Sequence, residues 1–302
     1  MKGLRYRSFL KNNHGLSGVI EALLLVGLVA IILSTIQLVY IPEIMKQKEN
    51  DHVDEVEKQF TNLKSVIESQ SMMGVIQSSE PISGSPISSP ITLGSDKLPY
   101  FITSQTRGDI SIIDKEAAGE SKIDIAPAVA EYINGIPLTS VVYDMSSMYL
   151  NYDVKYIYEG GGIILNQTGP KDYTGEVMRV DPAIKIDNLS SSIKINYNIP
   201  VFDCPPGKNI TAWAIDTAYI RTNYSNHVVH SDTGVHYIRI YSNYLEGWNN
   251  CLLESDKGLL WEYENNGYID VGYDNPSDPS YIYITPNSKI INVEFTIVEL
   301  GI

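Results

Sequence analysis

Hydrophobic positions change their pattern three times along the chain. From Leu16 to Ile41 (LSGVIEALLLVGLVAIILSTIQLVYI) they are nearly continuous, about 26 residues with one ionisable side chain, Glu21. At about 1.5 Å per residue such a helix exceeds a hydrocarbon core of about 30 Å, so the pattern predicts a membrane-spanning helix over 16–41. From Pro42 to Gly74 the apolar positions thin to a stripe. Val53, Val56, Phe60, Leu63 and Ile67 recur at spacings of 3, 4, 3 and 4, with Lys, Glu, Asp, Gln and Asn between them. This predicts an amphipathic helix over 42–74, with Pro42 kinking it or opening a new turn and Gly74 stopping it. Two coverings fit the stripe: the protein's own globular domain, or the helices of other subunits.

From Val75 to about Pro99 the chain is rich in Ser, Gly and Pro, which suits either a flexible linker or strands reached through a short one. Alternation in SPITLG and GDISIID favours a pair of strands. Beyond Pro99 one helical stretch stands out, NYLEGWNNCLLES. The remainder offers TSVVYDM, MYLNYDVKYIYE, GIILNQT, VMRVDPAIKID, IKINYNIPVF, AWAIDTAYIRTNY, VHYIRIYS, YIDVGY, SYIYIT and INVEFTIVEL, separated by turns such as EGGG, CPPG, ENNG and DNPSDPS. Short strands without alternating helices predict an antiparallel sandwich and not a nucleotide-binding α/β fold. The expected fold class is therefore α+β: a long N-terminal helix, hydrophobic and then amphipathic, followed by a mainly antiparallel β-sandwich over 75–302.

Residues 1–15 form a leader containing Lys2, Arg5, Arg7 and Lys11 and no acid. By the positive-inside rule the leader stays in the cytoplasm and the chain beyond Ile41 is exported. The apolar run is too long for a secretory signal and QLVYIPEIMK lacks a small-residue cleavage site, which leaves an uncleaved signal anchor or a cut on the near side of the span. The stretch HGLSGVIEALLLVGLVAIILS resembles the class III signal of archaeal type IV pilins and archaellins. In that family a prepilin peptidase cuts between a terminal leader Gly and a hydrophobic residue, positions that Gly15 and Leu16 fit. Gly18 matches a small residue often found just after the cut. His14 replaces the usual Lys or Arg, and Glu21 is the sixth mature residue where many bacterial pilins place Glu fifth. The Tyr-rich block NYDVKYIYEGGGIILNQ, then VMRVDPAI and EGWNNCLLE, also resembles the β domains of large pilin-like proteins of methanogenic archaea.

The resemblance implies a structural subunit of a surface filament, a minor pilin given its large head. Its partners would be other pilin-like subunits through the N-terminal helix, the prepilin peptidase and the membrane. Its β domain would be displayed for surface contact or adhesion. The alternative is an uncleaved single-span anchor carrying an extracellular receptor or adhesin module. An acid in hydrocarbon costs a few kcal/mol unless paired. Glu21 either pairs with a neighbouring subunit's new α-amino group or sits hydrated near the cytoplasmic interface.

Charge narrows the picture. The chain carries a net −14 and the leader contributes +4, leaving −18 for the rest. That acidity excludes nucleic acid as a partner and disfavours anionic lipid for the exported part. Twenty-one tyrosines against five phenylalanines fit a hydrated β-rich domain. Tyr152, Val154, Tyr156 and Tyr158 alternate as a half-buried strand face with hydrated phenols would. In an exported chain the pair Cys204 and Cys251 predicts a disulfide closing a loop of about 48 residues, the other reading being two separate buried thiols.

No catalytic pattern emerges. His227, His230, His236 and Asp232 match no zinc spacing and read as a hairpin turning at SDTG. Asp270, Asp274 and Asp278 lack the EF-hand spacing and its closing Glu, and read as a solvated acidic turn. EGGGI lacks the Lys-Ser/Thr of a phosphate loop, and no G-x-S-x-G occurs. The expectation is a protein that is no enzyme and needs no metal or cofactor. Four glycosylation sequons, at Asn166, Asn188, Asn209 and Asn223, all fall on the exported side.

Overall fold

The computed structural model describes residues 13–76, 85–95, 106–126, 133–170, 174–205, 211–214, 216–254 and 257–302. The chain divides into two compact units, Met1–Lys48 and Glu49–Ile302.

In the first unit helix α1 (Asn13–Thr35) runs into a π-helical turn, Ile36–Tyr40, and then into α2 (Ile41–Ile76), whose first eight residues lie in this unit. The π turn sits immediately before Pro42. Proline has no N–H and its ring crowds the carbonyl four residues back. Widening the turn is a known accommodation, and here the Ile41 amide bonds the Ile36 carbonyl five residues back. The expected boundary at 41/42 is thus a change of helical winding within a continuous helical stretch. Gly18 to Thr35 are exposed throughout, and among the described residues one helix is long and apolar enough to cross a membrane.

The second unit begins inside α2, and the expected stripe forms its seam. Val56, Phe60, Leu63 and Ile67 are all buried, in one hydrophobic cluster with Ile91, Tyr143, Tyr156, Tyr158, Phe202 and Leu300. The covering is the protein's own domain. Gly74 does not end the helix, which runs two residues further. A Cβ at Gly74 would lie 2.1 Å from the Tyr224 ring, so this glycine permits a close approach.

Sixteen strands follow: β1 (Ile87–Thr92), β2 (Arg107–Ile113), β3 (Lys122–Ala126), β4 (Ile133–Pro137), β5 (Ser140–Ser146), β6 (Asp153–Glu159), β7 (Gly162–Thr168), β8 (Gly175–Val180), β9 (Ile184–Asn188), β10 (Ser192–Asp203), β11 (Thr211–Ala214), β12 (Thr217–Val235), β13 (Tyr237–Tyr241), β14 (Ile269–Tyr273), β15 (Ile282–Pro286) and β16 (Ile290–Gly301). Helices α3 (Leu245–Leu253) and α4 (Trp261–Asn265) lie between β13 and β14. The fold class is as expected, α+β with a mostly antiparallel β domain, but three sheets replace a simple pair. Their orders are β1-β12-β16-β10-β9, β11-β2-β5-β6-β7-β8 and β14-β15-β13-β3-β4. Among the described residues the one parallel pairing of strands joins β10 to β16 over twelve residues, Ser192↔Ile290 to Asp203↔Gly301.

Several strands divide their side chains between two cores, β16 and β6 among them. On β16 Ile291, Val293 and Phe295 enter the core shared with β3, β13 and β15, while Val298 and Leu300 enter the core under α2. On β6 Ile157 faces the first and Tyr156 and Tyr158 the second. Tyr156 and Tyr158 are therefore fully buried, not the hydrated phenols of a half-buried face, because α2 covers what would otherwise be a solvent side. The expected pair of strands around SPITLG and GDISIID exists as β1 and β2, but these join different sheets.

Candidate functional surfaces

The expected processing junction, Gly15–Leu16, lies in the first turn of α1, with side chains outside the described residues. Gly18 and Glu21 follow on the exposed helix, and a Cβ at Gly18 would meet nothing within 4 Å. Residues 1–12 of the leader lie outside the described residues. What this segment presents is an apolar surface on all sides: Leu25, Val26, Leu28, Ile31 and Leu33 are each more than half exposed.

The polar chemistry of the second unit is spent on holding α2. Glu49, fully buried, accepts hydrogen bonds from the backbone amides of Met148, Tyr149 and Leu150 at 3.0, 2.9 and 2.9 Å, and from the Thr106 hydroxyl. Three converging N–H groups and a hydroxyl make an anion cradle. Tyr143 donates its hydroxyl to the Leu93 carbonyl, so it accepts from His52 Nε2 at 2.9 Å, which puts a proton on that nitrogen. Glu57 takes the Tyr156 hydroxyl and the Arg179 guanidinium. Gln59 pairs with both the amide and the hydroxyl of Thr92 on β1. Lys64 donates to the Gly161 carbonyl and pairs with Glu68, and Gln70 donates to the Thr222 carbonyl.

A second buried polar cluster surrounds Glu159 at the β6–β7 hairpin. Its Oε1 accepts from the Ser242 hydroxyl at 2.5 Å and from Trp248 Nε1 on α3 at 2.9 Å. Gly160 and Gly161 both have positive φ, 56° and 83°, as a two-residue hairpin turn requires. Tyr197 donates to the Gly160 carbonyl at 2.6 Å. Burial raises the Glu159 carboxyl to about 7, although the bonds from Ser242 and Trp248 pull it down; the nearby Glu176 adds to the rise. Neither this cluster nor the Glu49 cradle was foreseen. Their donors come from residues 57 to 101 positions away, and no local pattern marks them.

No disulfide joins Cys204 and Cys251, which corrects the expectation. Cys251 is buried on α3, where its thiol donates to Asp181 Oδ1 at 3.5 Å. Burial, reinforced by that carboxylate, drives its pKa far up, so the sulfur stays protonated and unreactive. Cys204 lies at the end of β10, a different place in the fold. The histidines do not form a hairpin around SDTG, because β12 passes through that sequence as one strand of 19 residues. His227, held by the Tyr224 hydroxyl at 2.8 Å, and His230 point to opposite faces. Asp274 is a turn residue whose Oδ1 accepts from the amides of Ser280 and Tyr281; desolvation works against the shift, but the backbone hydrogen bonds together lower its pKa. Among the described residues no group of His, Cys, Asp or Glu could hold a metal.

Of the sequons, Asn188 is exposed at the end of β9 and accepts from Lys289. Asn166 is engaged with Glu176 at 3.0 Å, and Asn223 is half-buried on β12. Asn209 lies outside the described residues. A cavity of about 290 Å³ opens beside the end of α2, lined by Ile67, Met72, Val75, Tyr158, Pro200 and Val298 among others. It contains no acid–base pair or nucleophile with an activating base. No protein-family model, curated protein sequence or solved structure matches the chain.

Proposed function

We propose that the chain is a pilin-like structural subunit, a minor component, of an archaeal type IV pilus-type surface filament. A prepilin peptidase would cut after Gly15, releasing the basic leader and leaving Leu16 as the mature N-terminus. Until assembly α1 would rest in the membrane with the leader in the cytoplasm, as the basic residues before it favour, and the β domain outside. In the filament it would pack against the same helix of neighbouring copies, with Glu21 meeting a neighbour's α-amino group. The head would set surface contact or adhesion, a role without catalysis.

The observation that carries this reading is the contrast between α1 and the rest of the chain. From Gly18 to Thr35 every residue is exposed and the only ionisable one is Glu21, so its cover must come from lipid or from other chains. The alternative, an uncleaved anchored binding module, shares that helix and differs in processing. Gly15→Val should block cleavage in the native host, and unchanged amounts of mature protein from that variant would overturn the reading. Glu21→Gln should leave export intact while reducing filaments seen by electron microscopy; wild-type filament abundance would show that its charge has no part in assembly.

A further inference from the structure

Among the described residues every sheet edge but one is short, covered, or carries proline or several charges. At the other edges β1 carries Pro90, β9 carries Lys185 and Asp187, and β4 is five residues long and ends in Pro137. β11 is four residues long and β14 five, and β8 is covered by α3, whose Asn250 donates to the Glu176 carbonyl. Short strands, proline, charge and covering elements are the usual devices against edge-to-edge pairing. Past Thr222 β12 is long, has no proline and carries one fixed charge, Asp232. From Asn223 to Val235 it pairs with β16 on one side, and no described strand pairs with the other.

Two irregularities, at Tyr224/Asn226 and Thr233/Val235, bracket the open part. Between them Asn226–Thr233 is an unbroken ladder against Glu299–Asn292, eight residues (NHVVHSDT) with one fixed charge, Asp232. Val228 and Val229 in its middle are 43% and 50% exposed, and alternation sends them to opposite faces.

We propose that this edge pairs antiparallel with the same edge of a second copy, on a two-fold axis through Val229. An antiparallel edge is self-complementary in its backbone donors and acceptors, so such a contact closes on itself. Side-chain complementarity selects the register. With Val229 opposite Val229 of the copy, Val228 faces His230, His227 faces Ser231, and Asn226 faces Asp232. The one fixed charge of each edge then meets an amide donor and no carboxylates oppose each other. Both exposed valines are covered in the same step. The contact involves the β domain alone and does not rest on the filament reading.

Cysteine cross-linking of the full chain in detergent tests it, with Cys204→Ser removing the half-exposed native thiol. In the proposed register the residues at 229 face each other at about 4.5–5.5 Å between Cβ atoms, within reach of a disulfide. Residue 231 and its own copy are four positions apart along the strand, about 13 Å, and out of reach. Under mild oxidation Val229→Cys should give a covalent dimer at least tenfold faster than Ser231→Cys, with the thermal midpoint of the reduced proteins unchanged. Equal rates at both positions, or dimer at neither, would overturn the proposal. So would a Val229→Cys product that links to a chain of different mass in native membranes, since the edge would then belong to another protein's strand.

Discussion

The two halves of the N-terminal helical region treat their apolar surface in opposite ways. α1 is apolar on every side and exposed from Gly18 to Thr35. From Glu49 onward α2 is apolar along one stripe, whose Val56, Phe60, Leu63 and Ile67 are buried under the β domain with Val53 half-buried beside them. The polar residues flanking it reach across as well: Glu49 to three amides, Gln59 to β1, Lys64 to the β6–β7 turn and Gln70 to β12. A narrow stripe with polar flanks can be satisfied inside one chain. A helix apolar all round needs cover on every side, as in a large core or a membrane. Among the described residues one helix finds its cover in its own domain and the other finds none.

The sharpest way to break this contrast is to truncate one large side chain in each half. Phe60→Ala should destabilise the domain by about 3–5 kcal/mol in urea unfolding, because the ring is fully buried beside Tyr156 and leaves a cavity. Leu25→Ala, at a 62% exposed position of α1, should shift the same transition by no more than about 0.5 kcal/mol. Equal losses would mean that α1 is part of the folded domain.

Next in size is the Glu49 cradle. Glu49→Ala strips the acceptor from three amides and the Thr106 hydroxyl, and should cost about 3 kcal/mol by the same measurement. Glu49→Gln keeps an acceptor and should cost about half as much. A neutral Glu49→Ala would show that the cradle does not secure the helix.

The Glu159 cluster provides a pH test within the β domain. Its folded pKa, about 7, lies above the ordinary 4.5, so the folded state binds more protons between those values. Stability should therefore fall as pH rises from about 4.5 to about 7, by about 3 kcal/mol in all. Glu176, also raised by burial, acts in the same direction. Urea unfolding at pH 5 and pH 8 should show the loss, and Glu159→Gln should remove most of it. An unchanged slope in that variant would assign the dependence elsewhere.

The smallest effect belongs to the surface pair Arg179–Glu57, at 3.2 Å with the two side chains 45% and 27% exposed. Arg179→Ala should cost at most about 1 kcal/mol, well below Phe60→Ala. A larger loss would move weight from the apolar stripe to its charged flank.

How much of this was legible follows from the range of each signal. The stripe Val53–Ile67 and most strands were visible because helical and alternating periods are local. β3 and β4, short segments of five residues each, were not foreseen. Partners were not legible: β1 and β2 read as a pair and lie in different sheets, and the tyrosines of β6 read as hydrated although α2 covers them. The disulfide failed for a similar reason. Two cysteines in a chain read as exported carry only a compartment argument, and Cys251 is enclosed in α3 beside Asp181 while Cys204 follows the end of β10. SDTG has turn composition, yet β12 runs through it because β16 supplies a matching ladder.

Intact mass with N-terminal sequencing of the protein from its native membrane or surface fraction tests the central claim most directly. A chain beginning at Leu16 is the predicted result, with α1 freed of its basic leader and available to neighbouring copies. A chain that still begins at Met1 would contradict the filament account and leave an anchored surface module.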